Sequence, residues 1–220
     1  MFDIDKWLSE IVLKIKNEFK ERVMFIGYQG SYARQEATDR SDVDMVVILD
    51  KLSTDDLKLY RGIVKLMPFS DKACGFICGL PEFQKWSRRE LFGLYNDTRP
   101  IIGDMQAFLP EFTRQDADDS VKCGAEAVFH AAIHNFLYTN NSAAILAGLY
   151  KSIFFVLRNE YYLETGEFIH GKKELLNKLS GPAEEILKFS VNTDDIVNFS
   201  DFEREHLFTI LTEYCKSLIK

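Results

Sequence analysis

Residues 24–50 read MFIGYQGSYARQEATDRSDVDMVVILD, and this stretch decides the fold. An apolar run at 23–26 leads to a small-residue turn, Gly30-Ser31. After a polar loop, a second apolar run at 45–49 is entered through Asp42 and Asp44. The pattern predicts strands over 23–27 and 43–49, the second apolar enough to lie inside a sheet. Gly30 has no Cβ, so a backbone N–H can approach a phosphate closely there. Residues two apart on a strand face the same way, so Asp42 and Asp44 present two carboxylates together. Paired hard oxygens suit Mg²⁺, above all Mg²⁺ carried by a nucleotide triphosphate. Together these features predict phosphoryl or nucleotidyl transfer.

Outward from this stretch the chain alternates. Ile4, Trp7, Leu8, Ile11, Val12, Ile15 and Phe19 recur at helical spacing, predicting an amphipathic helix over 4–21. A short helix over 31–37 would follow the turn and aim free N–H groups at a phosphate. Ser53-Thr54-Asp55-Asp56 starts a further helix, with Pro68 beyond its far end. A third strand is expected at 73–78, then a helix opened by Pro81 and running to about 96, then a short strand at 99–102. From about Phe112 the character changes. Helices are expected over 121–138, 143–165, 172–179 and 183–189, with a break at Gly181-Pro182. A capping box at Ser200 and Glu203 precedes a final helix ending near Ile219. The fold class is α+β: a mixed sheet with flanking helices in residues 1–109, then an all-α helical bundle in residues 110–220.

Bulk properties narrow the function. At 220 residues the chain can bury one or two proper cores. A net charge of −7 argues against non-specific nucleic-acid binding, which needs a basic footprint. No apolar run reaches the roughly 18 residues of a membrane span. The N-terminus MFDIDKWLSE lacks a signal-peptide pattern, and the four cysteines sit in apolar surroundings, so a cytoplasmic protein with reduced thiols is expected. Cys74 and Cys78 have no second Cys/His pair nearby to complete a zinc site.

The Gly-Ser turn followed, ten residues on, by SDVD at the start of an apolar strand resembles the signature of the DNA polymerase β-like nucleotidyltransferase superfamily. Within it, GSYARQEATDRSDVDMVVIL is similar to the minimal and antibiotic-modifying members. The resemblance implies that Gly30 and Ser31 hold the β- and γ-phosphates. It also implies that Asp42 and Asp44 coordinate Mg²⁺ for attack on the α-phosphorus. ATP would be the co-substrate, and catalysis would act by positioning and charge neutralisation. Arg34, just after Ser31, is a further phosphate contact. The stretch LRNEYYLETGEFIHGKKELL resembles the C-terminal helical domain of the aminoglycoside nucleotidyltransferases. That resemblance implies triphosphate contacts from Arg158 and, with a one-residue shift, Lys172; Lys151 is a lesser candidate.

One departure stands out. The family places a third carboxylate on the next strand, yet that strand here is ACGFICG, with no acid. Asp71, Glu82 and Asp104 are the nearby alternatives. Glu126, His130 and His134 share one helical stripe, and Glu126 is a further general-base candidate. The expected activity is Mg²⁺-dependent transfer of AMP, or another NMP, to a hydroxyl of a small aminoglycoside-like or lincosamide-like molecule. Modification of a protein, as by antitoxin-like nucleotidyltransferases, is a second reading. A catalytically weakened nucleotide-binding or sensory module is the third. A monomer and a homodimer are both compatible with the sequence.

Overall fold

The computed structural model describes residues 2–219, which divide into two compact units between Glu111 and Phe112. In the first unit, helix α1 (Ile4–Phe19) precedes strand β1 (Val23–Gln29). Next come a one-turn helix α2 (Gly30–Ala33), strand β2 (Val43–Leu49) and helix α3 (Thr54–Lys65). Strand β3 (Ala73–Gly79), helices α4 (Leu80–Phe83) and α5 (Arg88–Asp97), and strand β4 (Arg99–Ile102) complete it. The four-stranded sheet has the order β3-β2-β1-β4. β1 runs antiparallel to both β2 and β4, whereas β2 and β3 are parallel, so the sheet is mixed as expected.

Alternation along β2 makes the sheet two-sided. Val43, Met45, Val47 and Leu49 pack with Trp7, Leu8, Ile11, Ile15 and Phe19 of α1 and with Ile63 of α3. Val46 and Ile48 point the other way and are equally buried, which is why β2 reads as a continuous apolar run. Asp42 and Asp44 share the parity of Val46 and Ile48, so they look away from the α1 core. α1 is anchored at one end by its indole: Trp7 Nε1 donates to the Pro68 carbonyl at 2.8 Å.

Behind the first strand, Arg22 ties three segments together. Its Nε reaches Asp50 at 2.9 Å, and Nη1 and Nη2 reach the two oxygens of Asp56 at 2.6 and 3.0 Å. Asp56 also closes the α3 capping box with Ser53. The Arg22 guanidinium, then the Ser53 hydroxyl and N–H, hold the Asp56 carboxyl well below the usual carboxylate range. A depressed folded value gives stability that is present above the ordinary carboxylate pKa and lost as pH falls towards the folded one. Arg22→Gln should therefore melt below wild type at neutral pH, with the gap narrowing as pH drops under about 4. Melting temperatures across an acid pH series check this.

Three elements of this unit differ from expectation. α2 stops at Ala33 rather than Ala37. Gln35 takes a left-handed φ of 61°, and the Glu36 and Gln35 N–H groups return to the Ser31 and Tyr32 carbonyls. That is a Schellman closure made without the usual glycine. The single helix expected over 81–96 is two, α4 and α5. A turn at 84–87 restarts the chain with Ser87 at the N-cap, and Trp86 packs edge-on against Phe76 of β3 at 5.2 Å. The 4–21 helix ends at Phe19 and continues as a 3₁₀ turn, Lys20–Arg22.

The second unit is helical: α6 (Arg114–Tyr138), α7 (Ala143–Thr165), α8 (Lys172–Leu176), α9 (Gly181–Val191) and α10 (Asp201–Leu218). α6 starts seven residues before the expected 121, because Thr113 and Asp116 form a capping box ahead of the apolar stripe. Val121, Ala125, Val128 and Ala132 then face Leu146, Tyr150, Ile153 and Leu157 of α7 within one core. The Tyr150 hydroxyl donates to the Leu207 carbonyl at 3.0 Å, linking α7 to α10. Gly181-Pro182 opens α9, since Pro lacks an N–H that the first turn does not use. No helix among the described residues is long and apolar enough to cross a membrane.

Candidate active site

The site grows from the β1–α2 turn and the leading edge of β2. Gly30 follows β1 directly, with φ at +75°, in the left-handed region. A Cβ on it would lie 2.1 Å from Asp44 Oδ2. Glycine is thus required twice here, for its backbone conformation and for the carboxylate pressed against it. The same contact shows that the Gly30-Ser31 turn and Asp44 share one place in the fold, although thirteen positions part Ser31 from Asp44. Asp44 pairs with Gln29 across the antiparallel ladder, which sets this approach.

Asp42 is exposed and Asp44 half-buried. Burial first, then the Asp42 charge, pushes the Asp44 carboxyl above its ordinary value. The Cys74 thiol, which donates to the Asp44 carboxylate, and the Arg34 charge pull the other way. Two carboxylates this close repel until a cation lies between them, which is the electrostatic condition of a metal site.

Cys74 occupies the position of interest. In the parallel register β2–β3, Asp44 stands beside Cys74, so the thiol and the carboxylate leave the sheet on one face. One ligand atom from each of Asp42, Asp44 and Cys74 lies within 4.8 Å of the others. Among the described residues this trio alone meets that condition, so neither Asp71, Glu82 nor Asp104 joins the aspartate pair. Asp104 instead caps a 3₁₀ turn, accepting from the Gln106 N–H at 2.9 Å. Glu126, His130 and His134 do not converge as ligands either. As a donor set, Asp42 and Asp44 fit Mg²⁺ through two hard oxygens, whereas the Cys74 sulfur does not.

Arg34 sits at the closed end of α2, its side chain 9% exposed. Its Nε lies 3.3 Å from Glu36 and its Nη1 3.6 Å from Asp97. Asp97, at the end of α5, is itself near enough to raise the Asp44 carboxyl. Sequence reading missed Asp97. It stands far along the chain and arrives through the α5–β4 return, so no spacing signal points to it.

In the second unit, Arg158 is 1% exposed. Its guanidinium lies 4.4 Å from the Phe168 ring centre, and 5.2 and 5.3 Å from those of Phe155 and Phe154. Lys172 Nζ donates to the Ser190 carbonyl at 2.8 Å and stands 5.5 Å from the Phe154 ring. The two cations named from sequence therefore share one aromatic ring within that unit. Lys151 is exposed.

Comparison with known proteins adds three findings. Residues 8–74 match the nucleotidyltransferase domain family, a match that ends on Cys74. No curated protein sequence matches the chain. The structure of spectinomycin adenyltransferase AAD(9) from Enterococcus faecialis, with ATP and spectinomycin, resembles this one with a TM-score of 0.62. The likeness covers 98% of this chain and 99% of that one at 14% identity, a similarity of fold. Residues 8–74 are thus similar to a nucleotidyltransferase domain, and the chain as a whole shares its fold with that adenyltransferase.

Proposed function

From the nucleotidyltransferase domain of residues 8–74 we infer that the chain transfers AMP from ATP to a hydroxyl of a small organic acceptor. The observation that carries this reading is the meeting of Asp42, Asp44 and Gly30 where the two central strands of the sheet end and begin. The acceptor class is taken as aminoglycoside-like or lincosamide-like. The fold neighbour is an adenyltransferase solved with spectinomycin, and a cationic acceptor suits a chain of net charge −7. Such an enzyme would confer antibiotic resistance and work in the cytoplasm.

The residues divide the work. The Gly30 backbone lets the nucleotide phosphates approach the end of β1 closely, and Ser31 offers its hydroxyl and N–H beside it. Asp42 and Asp44 would hold Mg²⁺, which when bound neutralises triphosphate charge and stabilises charge developing at the α-phosphorus. Asp44 is kept at the turn by Gly30, and Arg34 is oriented by Glu36 and Asp97. Arg34 takes the role of a phosphate cation, and the helical-domain resemblance assigns the same role to Arg158 and Lys172.

Cys74, where the family has an acid, favours one second reading: a site that holds nucleotide but turns over slowly. Pyrophosphate release, measured with Mg²⁺-ATP and a panel of spectinomycin, other aminoglycosides, lincosamides and candidate proteins, separates the two. The reading predicts release that depends on one small hydroxylated acceptor. Release only with a protein acceptor contradicts it, and nucleotide binding without release from any member supports the slow-site reading.

A further inference from the structure

We propose that Cys74 is the third protein ligand of a divalent cation at Asp42 and Asp44, and that the site accepts thiophilic ions of the Zn²⁺ and Cd²⁺ class. This rests on reading the two aspartates as metal ligands, as above.

Three structural facts carry it. The β2–β3 register places the thiol beside Asp44 on one face of the sheet, and the three ligand atoms already lie within 4.8 Å of each other. A tetrahedral ion about 2.0–2.3 Å from each donor needs them roughly 3.5 Å apart, so the three donors would have to draw in by no more than about 1.3 Å from their present 4.8 Å limit. Cys74 is exposed, unlike the buried Cys78, so an ion can reach it. The adjoining backbone is also fixed. Gly75 has φ at +132°, and a Cβ there would fall 2.0 Å from the Met45 carbonyl oxygen. β3 is thus held hard against β2 at the residue after the thiol, and the register cannot slip without breaking that fit.

The chemistry differs from that of three carboxylates. Two aspartates alone are a hard donor pair and suit Mg²⁺ or Mn²⁺, and a thiol adds little to either. A softer ion recruits the sulfur: the S–H proton leaves to solvent and a metal–thiolate bond forms, with no change of oxidation state. One site would then carry two metal preferences, a hard one through two oxygens and a soft one through all three donors. Zn²⁺ held in the second way would compete with Mg²⁺ for the same carboxylates, and so with the metal-nucleotide.

The test titrates CdCl₂ into the metal-free wild-type chain without nucleotide and follows the ultraviolet thiolate-to-cadmium charge-transfer band. Cys74→Ser and Asp42→Asn/Asp44→Asn are titrated in parallel. The proposal expects a band saturating at one equivalent in wild type. It should be absent in Cys74→Ser and reached only at far higher Cd²⁺ in the aspartate variant. The loss in affinity should be about 100-fold, at least the upper end of what outer-shell changes cost. No band in wild type, an undiminished band in Cys74→Ser, or unchanged affinity without the aspartates would each overturn it. Calorimetry of Mg²⁺-ATP with the wild-type chain runs alongside. Mg²⁺-ATP bound without a cadmium band rejects the thiolate ligand alone, and no Mg²⁺-ATP binding rejects the underlying reading.

Discussion

Asp44→Asn should lower nucleotidyl transfer by about 10³-fold, roughly 4 kcal/mol of transition-state stabilisation, while the fold survives. Asn keeps the size and the hydrogen-bonding oxygen but loses the charge that holds a cation. The effect on stability has the opposite sign. Burial and the Asp42 charge raise the Asp44 carboxyl, so its ionisation opposes folding in the metal-free chain. For a raised group, stability is fully present below the ordinary carboxylate pKa and is lost as pH rises through the folded value. Asp44→Asn removes that loss. The metal-free variant should therefore melt no lower than wild type at neutral pH, and its advantage should shrink below about pH 4. Steady-state pyrophosphate release and calorimetric melting together check the pair. Lost activity accompanied by a collapsed melting temperature would instead mean that Asp44 is a structural residue.

Gly30→Ala is the second large effect. An L-residue at φ +75° carries roughly 1–2 kcal/mol of left-handed strain. Beyond that, the new methyl would fall 2.1 Å from Asp44 Oδ2, so the carboxylate must swing away. A misplacement of about 1 Å at a reacting centre costs on the order of 10²-fold. Transfer should drop by at least that much, with a melting temperature lower by a few degrees. Because the clash moves Asp44 itself, adding Gly30→Ala to Asp44→Asn should cost far less activity than it costs alone. Full additivity in that double-mutant cycle would contradict the coupling.

The residues that were legible in sequence are those with local signals. Gly30, Ser31, Asp42 and Asp44 stand at fixed offsets between two apolar runs, and the unbroken apolar run at 45–49 predicts a strand inside a sheet. Ser200 and Glu203 marked the last helix, and the structure forms that capping box. A similar capping box at Thr113 and Asp116 opens α6 ahead of Val121, where the expected helix begins. Other features left no local trace. Gln35 closes α2 in a left-handed conformation that glycine usually supplies, so a longer helix was expected. Ser87 restarts a helix with neither Pro nor Gly to mark the break. Cys74 becomes a neighbour of Asp44 only through a parallel register that must be formed before it can be read. Asp97 approaches Asp44, and pairs with Arg34, through the packing of α5 and the return into β4. Residues whose role depends on long-range strand pairing are the ones that sequence spacing does not reach.

The central claim is that Asp42 and Asp44 make a metal-dependent nucleotide site, and isothermal titration with a non-hydrolysable ATP analogue addresses it most directly. Wild type and Asp42→Ala/Asp44→Ala are each titrated with and without Mg²⁺. The account predicts binding by wild type that strengthens at least tenfold, about 1.4 kcal/mol, when Mg²⁺ is present, and no such strengthening in the double variant. Analogue binding that is indifferent to Mg²⁺, or equal in the two proteins, would contradict it.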